Sequence, residues 1–268
     1  MRFRARKQPP PSPPTPSVAA RLEPKSAPGA RRARMFFDDY PAFYETSQTT
    51  PQAGRLNLRY EAIIGENEDI LQGARVLDIA SHDGRWSFAA LKAGATHVVG
   101  IEAKQELTDN AATTFDKYGV DPGTYEFICG DVFDVMANQS FDVDVVMCLG
   151  FLYHTLRYNE LLSLIRKLNP RYVIVDTSVI ARGKGPLVQL RAEDSTKERN
   201  AVPDRYSYGD RVLGGKPNLA GLRVMFRAYG FNLTKIADWG SLLRDNPEAG
   251  AIGVYARGER VTVRCDSE

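Results

Sequence analysis

The sequence predicts an α/β protein built on a mostly parallel, seven-stranded sheet with an antiparallel last strand and helices on both faces. Three observations carry this expectation. From Arg75 onward, short apolar runs alternate with segments of helical periodicity, the pattern of a parallel sheet covered on both sides. The 268 residues, 43% of them hydrophobic, are enough for one large domain with a sizeable core. The last two apolar runs stand too close together for a helical crossover, so an antiparallel return is expected there.

The elements follow in order. RVLDIA (75–80) is the first strand, and GRWSFAALKAGA after it has helical character that closes at Gly94. HVVGIE (97–102) comes next, then a helix over 104–118, then YEFICG (125–130). VDVVMCLG (143–150) is the fourth strand, and Leu161, Leu164, Ile165 and Leu168 recur at the spacing of one helix face. YVIVDTSV (172–179) is the fifth. A long polar stretch, 181–215, precedes a helix near 218–229 that ends at Gly230. FNLTKIADW (231–239) and AIGVYAR (251–257) complete the sheet, with only 240–250 between them. Upstream, GRLNLRYEAI (54–63) reads as a helix leading into the first strand. In such sheets ligands bind beyond the carboxyl ends of the strands, so function is expected in the loops there.

The formal net charge of +2 hides a division. Residues 1–34 hold nine Lys/Arg against the single acid Glu23, and half of the sixteen prolines. The remaining residues hold 26 Lys/Arg and 32 Asp/Glu, so the body is acidic. The leader cannot bury enough apolar surface to offset its ordering, and is expected to be disordered. A solvated tail, a docking segment for an SH3-like partner and an organelle transit peptide all fit it. Met35, where the character changes, is a candidate start of translation, and 35–268 is taken as the functional unit. An acidic body argues against nucleic acid as partner, because phosphate binding relies on clustered cations. No run reaches the length of a membrane-spanning helix. Cys129, Cys148 and Cys265 show no metal-knuckle spacing, and a reducing, cytoplasmic setting fits them. No acidic cluster calls for a metal.

Chemistry-bearing residues gather at the strand ends. The first strand runs into VLDIASHDGRW, with Asp78, Ala80, Ser81, His82 and Gly84. The second ends at Glu102, the third leads into Gly130-Asp131-Val132, and the fourth into CLGFLYHTLRY with Leu149, Tyr153 and His154. Together these resemble the class I S-adenosylmethionine (SAM) dependent methyltransferases, over about residues 55–257, and imply their Rossmann-like fold. The first segment is similar to the family's D/E-x-G-x-G-x-G motif, with Ala80 and His82 in place of two glycines. The resemblance implies that Asp78, Ala80, Ser81, Gly84, Glu102, Asp131, Val132 and Leu149 hold SAM. Glu102 would accept from the ribose hydroxyls, and Asp131 from the adenine amino group, while Val132 offers its N–H. Asp131 also suits a helix N-cap.

The segment after the fourth strand resembles the LGxLYH segment of carboxymethyl-transferring tRNA wobble-uridine enzymes and assorted small-molecule O-methyltransferases. That implies Tyr153 and His154 beside the methyl donor. Histidine is a residue type that serves as a base where an acceptor has a proton to lose, and that is one role for His154; a purely structural role at a helix start is the alternative. GRLNLRYEAI is similar to a segment of ubiquinone-pathway O-methyltransferases, which would give Arg59 the cofactor's carboxylate. Residues 40–60, with Tyr44, and 181–215, with Arg182, Arg191, Glu193, Arg199, Tyr206, Tyr208 and Arg211, are candidate lids. Inward-facing cations of the second would favour an anionic acceptor.

The reading is thus a SAM-dependent methyltransferase acting on a small molecule, most readily at oxygen. No [DN]PP[YF] follows the fourth strand, as methylation of exocyclic amines would call for. RNA or protein as acceptor, an NAD-dependent oxidoreductase and a non-catalytic SAM-binding module are the rival readings. The missing glycines argue against the oxidoreductase, because a pyrophosphate needs closer backbone approach.

Overall fold

Residues 76–79 alternate along the first strand of the sheet: Leu77 and Ile79 enter one apolar core, Val76 the other. The computed structural model describes residues 35–46, 53–197, 200–249 and 252–268, which fall in one compact unit, Arg34–Glu268. The expected disordered leader 1–34 lies outside the described residues, as do 47–52 of the first candidate lid and Arg199 of the second.

The strands are β1 Arg75–Ile79, β2 His97–Glu102, β3 Tyr125–Cys129, β4 Val145–Leu149, β5 Tyr172–Ser178, β6 Val188–Asp194, β7 Arg211–Pro217, β8 Phe231–Ile236 and β9 Arg260–Ser267. The helices begin with α1 Ala42–Glu45, α2 Ala53–Ile63, α3 Glu68–Leu71, α4 Arg85–Lys92 and α5 Gln105–Lys117. They continue with α6 Val132–Asn138, α7 Tyr158–Leu168, α8 Leu219–Arg227, α9 Trp239–Asp245 and α10 Gly253–Ala256.

Seven strands form the main sheet in the order β3-β2-β1-β4-β5-β9-β8. The first five are parallel, and β9 runs antiparallel to both β5 and β8. One face packs on α6, α7 and α8 through residues such as Met136, Leu161 and Phe226. The other packs on α4 and α5 through Phe88 and Phe115. A third cluster joins Leu58 of α2 to Trp239 and Tyr255. The strand order reverses between β1 and β4, which opens the crevice at their carboxyl ends.

Two sequence expectations are corrected. AIGVYAR does not form the last strand: Gly253–Ala256 is the short helix α10, and the antiparallel strand is Arg260–Ser267. Charges at Arg260, Arg264 and Asp266 interrupt that strand's apolar pattern, and Arg260 is buried only because it meets a partner on β5. The stretch 181–215 is not one long loop. It folds into a second, two-stranded sheet, β6-β7, with register from Val188↔Pro217 to Asp194↔Arg211.

Candidate active site

A cavity of about 270 Å³ opens at the crevice, lined by Ala80, His82, Glu102, Asp131, Leu149 and His154 among others. The loop after β1 forms its floor. Ala80 (φ 55°), His82 (φ 55°) and Gly84 (φ 72°) all take the left-handed conformation. Ala80 and His82 therefore keep the backbone path expected of glycine, at a cost of roughly 1–2 kcal/mol each. Gly84 has no such latitude, because a Cβ there would stand 2.7 Å from the Phe127 ring. The loop is pinned by the buried pair Asp83–Arg85, in which Arg85 donates from Nε and Nη2 at 2.6 Å each. Thr46 also donates to Asp83. Burial pushes the Asp83 carboxyl up, but Arg85 and His82 outweigh it and hold it well below the usual range.

Asp78, Ser81 and Gly84, expected at the cofactor, do not line this cavity. The two-residue period of β1 turns Asp78 to the α4 face, where Ser87 Oγ donates to it at 2.8 Å and its other oxygen has no partner. Burial raises its pKa to about 7. Ser81 is 1% exposed and packs toward Gly100 of β2. These residues shape the loop from beneath.

Glu102 does line the cavity. Its Oε2 accepts from the His82 N–H at 3.0 Å and its Oε1 from the Lys104 N–H at 3.1 Å, which fixes the carboxylate with lone pairs to spare for a diol. Asp131 is both a wall residue and the N-cap of α6: Oδ1 accepts from Phe133 N–H at 2.9 Å and Asp134 N–H at 3.2 Å, and Oδ2 is left over. Val132 and Leu149 supply apolar wall between them. An acid for a ribose, an acid for an amine and left-handed loop backbone suit an adenosine cofactor.

Arg59 also reaches the cavity, but it is not a solitary cation. Its Nη2 donates to Asp176 Oδ1 at 3.0 Å, its guanidinium lies 4.8 Å over the Trp86 ring, and its buried Nε has no partner. Asp176, fully buried near the end of β5, also accepts from Arg260 Nε (2.6 Å), Tyr255 Oη (2.8 Å) and Thr262 Oγ1 (2.7 Å). Burial pushes its pKa up, and Arg260 and Arg59 hold it far below the usual range. Neither Asp176 nor Arg260 was anticipated. The one signal for Asp176 was a carboxylate inside the apolar run YVIVDTSV.

Tyr153 and His154 stand in a 3₁₀ turn, Leu152–His154, against which the hairpin β6-β7 is laid. Close approach is possible because Gly214 and Gly215 have no side chains: a Cβ on Gly214 would stand 2.7 Å from the Tyr153 carbonyl oxygen. Tyr158 Oη donates to the Gly215 carbonyl at 2.7 Å and fastens the seat. The contact brings Glu193 of β6 to His154, with Oε2 2.6 Å from Nδ1. The same oxygen accepts from Ala201 N–H at 2.9 Å, and Arg191 Nε lies 3.1 Å from Oε1. Burial raises the Glu193 carboxyl, but His154, Ala201 and Arg191 outweigh it and the net shift is downward. Glu193, placed by sequence among candidate lid residues, is thus a partner of the candidate base.

The tip of the hairpin covers the cavity with Asn200, Ala201, Val202 and Asp204. Arg157 anchors it, donating to Asp204 at 3.1 Å and to Glu160 at 2.7 and 2.8 Å while lying 3.5 Å over Phe133. The expected inward cations are not found among the described residues of this segment. Arg182 and Arg211 are exposed, and Arg191 pairs with Glu193. Tyr206 and Tyr208 are exposed as well. In the first lid candidate, Tyr44 donates to Asp38 at 2.6 Å and accepts from Asn57 at 2.8 Å, so it fastens the segment to α2. Among the described residues no helix is long and apolar enough to cross a membrane, and no group of His, Cys, Asp and Glu is arranged to hold a metal ion.

A mostly parallel seven-stranded sheet with this crevice defines the class as a Rossmann-like α/β fold. Comparison with solved structures agrees. The chain is similar to a SAM-dependent methyltransferase from Mesorhizobium loti (12% identity, 78% of this chain and 99% of that one, TM-score 0.52). It is also similar to the N-terminal domain of EvdMO1 with S-adenosylhomocysteine (SAH) bound (17% identity, 84% of each chain, TM-score 0.54). A third likeness is to the [4+2]-cyclase SpnF (16% identity, 80% and 82%, TM-score 0.53). No curated protein matches with significance. Residues 76–170 match the family model described as a methyltransferase domain. Over residues 76–170 the chain thus matches a methyltransferase domain, and the solved structures share its fold.

Proposed function

We propose that residues 35–268 form the catalytic unit and transfer the methyl group of SAM to a hydroxyl of a small molecule. Bound SAM supplies a sulfonium methyl, an electrophile that needs an in-line nucleophile. In this reading Glu102 accepts from the ribose hydroxyls, Asp131 from the adenine amine, and the 80–84 backbone with Val132 and Leu149 encloses the nucleoside. Arg59 takes the cofactor's carboxylate, and Tyr153 and His154 face the acceptor.

The observation that carries the choice of oxygen is the 2.6 Å contact between His154 Nδ1 and the buried Glu193. A carboxylate on Nδ1 holds the proton there and leaves Nε2 as the basic nitrogen. His154 then removes the hydroxyl proton as the acceptor oxygen bonds to the methyl carbon and the carbon–sulfur bond breaks. The products are a methyl ether, SAH and protonated His154, whose charge Glu193 stabilises. Such a base contributes about 10²–10⁴ in rate, and alignment of acceptor and donor about 7–11 kcal/mol.

The test is transfer of labelled methyl from SAM to separated small-molecule and RNA pools. Label in small molecules, stable to base hydrolysis as an ether, is the expected result. Label confined to RNA, or on nitrogen, would overturn the reading.

A further inference from the structure

The charge on the Arg59–Arg260 wall is unbalanced. Both guanidiniums are buried, 7% exposed each, both line the cavity, and both are paired with the same carboxylate, Asp176. One carboxylate neutralises one cation, and a second buried cation is costly unless an anion joins it. Tyr255 and Thr262 complete the ring around Asp176 as neutral hydroxyls, which add no negative charge. In the reading above SAM's carboxylate goes to Arg59, while its sulfonium and ammonium add two further positive charges to the cavity.

The two arginines also serve different parts of the cavity. Arg59 stacks on Trp86 at the start of α4, beside the loop of β1. Arg260 lies over the turn after β4: its Nη2 is 3.3 Å from where a Cβ on Gly150 would stand, and its guanidinium is 5.4 Å from the centre of the Tyr153 ring. It therefore stands next to the Tyr153–His154 turn, where the acceptor is placed in our reading.

We propose that Arg260 is a specificity-determining residue that receives the acidic group of the acceptor, so that the substrate is a hydroxylated carboxylic acid. The inference rests on the methyl-transfer reading above for the place of the acceptor. An acid both balances the wall and is drawn toward the positive donor. The anion could instead be the cofactor's own carboxylate, and the experiment separates the two sources.

Thermal unfolding of the full chain saturated with SAH is measured with acetate or with its uncharged isostere acetamide, at matched ionic strength. The expected result is a rise of about 2 °C at 50 mM acetate and none with acetamide. The rise should vanish in Arg260→Gln and persist in part in Arg260→Lys, which keeps the charge if the glutamine variant does not fold. SAH affinity should fall less than about threefold in Arg260→Gln, while Arg59→Gln lowers it about tenfold. Acetate giving no rise in the wild-type protein overturns the proposal. So does an Arg260 variant that loses affinity for SAH but not for 5′-methylthioadenosine, since the wall then serves the cofactor's carboxylate. Wild-type protein that binds no SAH defeats the methyl-transfer reading instead; the acetate comparison on unliganded protein still judges the anion site.

Discussion

Glu193 accepts at 2.6 Å from His154 across two elements 39 residues apart, and the same carboxylate oxygen accepts from Ala201 in the cavity's cover. One buried group thus orients the candidate base and holds the segment that shields it from water. In Glu193→Gln the amide can accept from His154 but bears no charge to stabilise the imidazolium. We expect kcat to fall about 10²-fold with SAH affinity nearly unchanged. Unaltered turnover in this variant would remove His154 from the role of base.

Gly214 sets how closely the hairpin approaches the turn that carries Tyr153 and His154. Gly214→Ala puts a methyl 2.7 Å from the Tyr153 carbonyl oxygen and pushes the two apart. Turnover should drop at least about tenfold, as expected for displacement of a positioned group by tenths of an ångström or more. SAH binding, measured by calorimetry, should change little; a parallel loss of cofactor affinity would contradict this division of labour.

The loop after β1 carries side chains where glycine is the easier residue. Ala80→Gly removes left-handed strain and adds freedom to the unfolded chain, two effects of about 1 kcal/mol and opposite sign. Stability in urea should therefore stay within about 1 kcal/mol of wild type. Gly84→Ala has no such compensation, since its Cβ meets Phe127, and it should cost clearly more.

Asp78 makes stability fall with rising pH. Its carboxyl, raised by burial to about 7, binds a proton more tightly in the folded state than in the unfolded chain. Its contribution is complete below the unfolded value of about 4 and is lost as pH rises through about 7. Asp78→Asn, which stays neutral, should gain about 2–4 kcal/mol over wild type between pH 4 and pH 8. Parallel stability profiles for the two proteins would show that Asp78 is ionised throughout.

Asp176 has the opposite sign. Its pKa is depressed by Arg260 and Arg59, so its contribution is present above about pH 4 and lost as pH falls further. Asp176→Asn strands two buried guanidiniums and should cost about 3–5 kcal/mol at pH 7. Denaturation showing less than about 1 kcal/mol would mean that water or an anion already balances the wall.

By itself the sequence determined most of the local elements and which strand-end residues meet at the cavity. HVVGIE is β2 residue for residue, and the run at 172–179 holds β5, because short apolar segments between helices have few other places to go. Glu102, Asp131, Val132, Leu149, Tyr153 and His154 all line the cavity, since each follows a parallel strand and strand ends share one edge. Only the tertiary structure decided what lies beside them. Charges in RVTVRCDS hide a strand whose buried arginine is satisfied by Asp176, 84 residues away. The hairpin 188–217 reads as a polar loop because one of its faces is solvent and the other packs on a turn from another part of the chain. The partners of His154 and Arg59 are likewise distant in sequence, and a periodic pattern carries no record of which distant charges will be buried together.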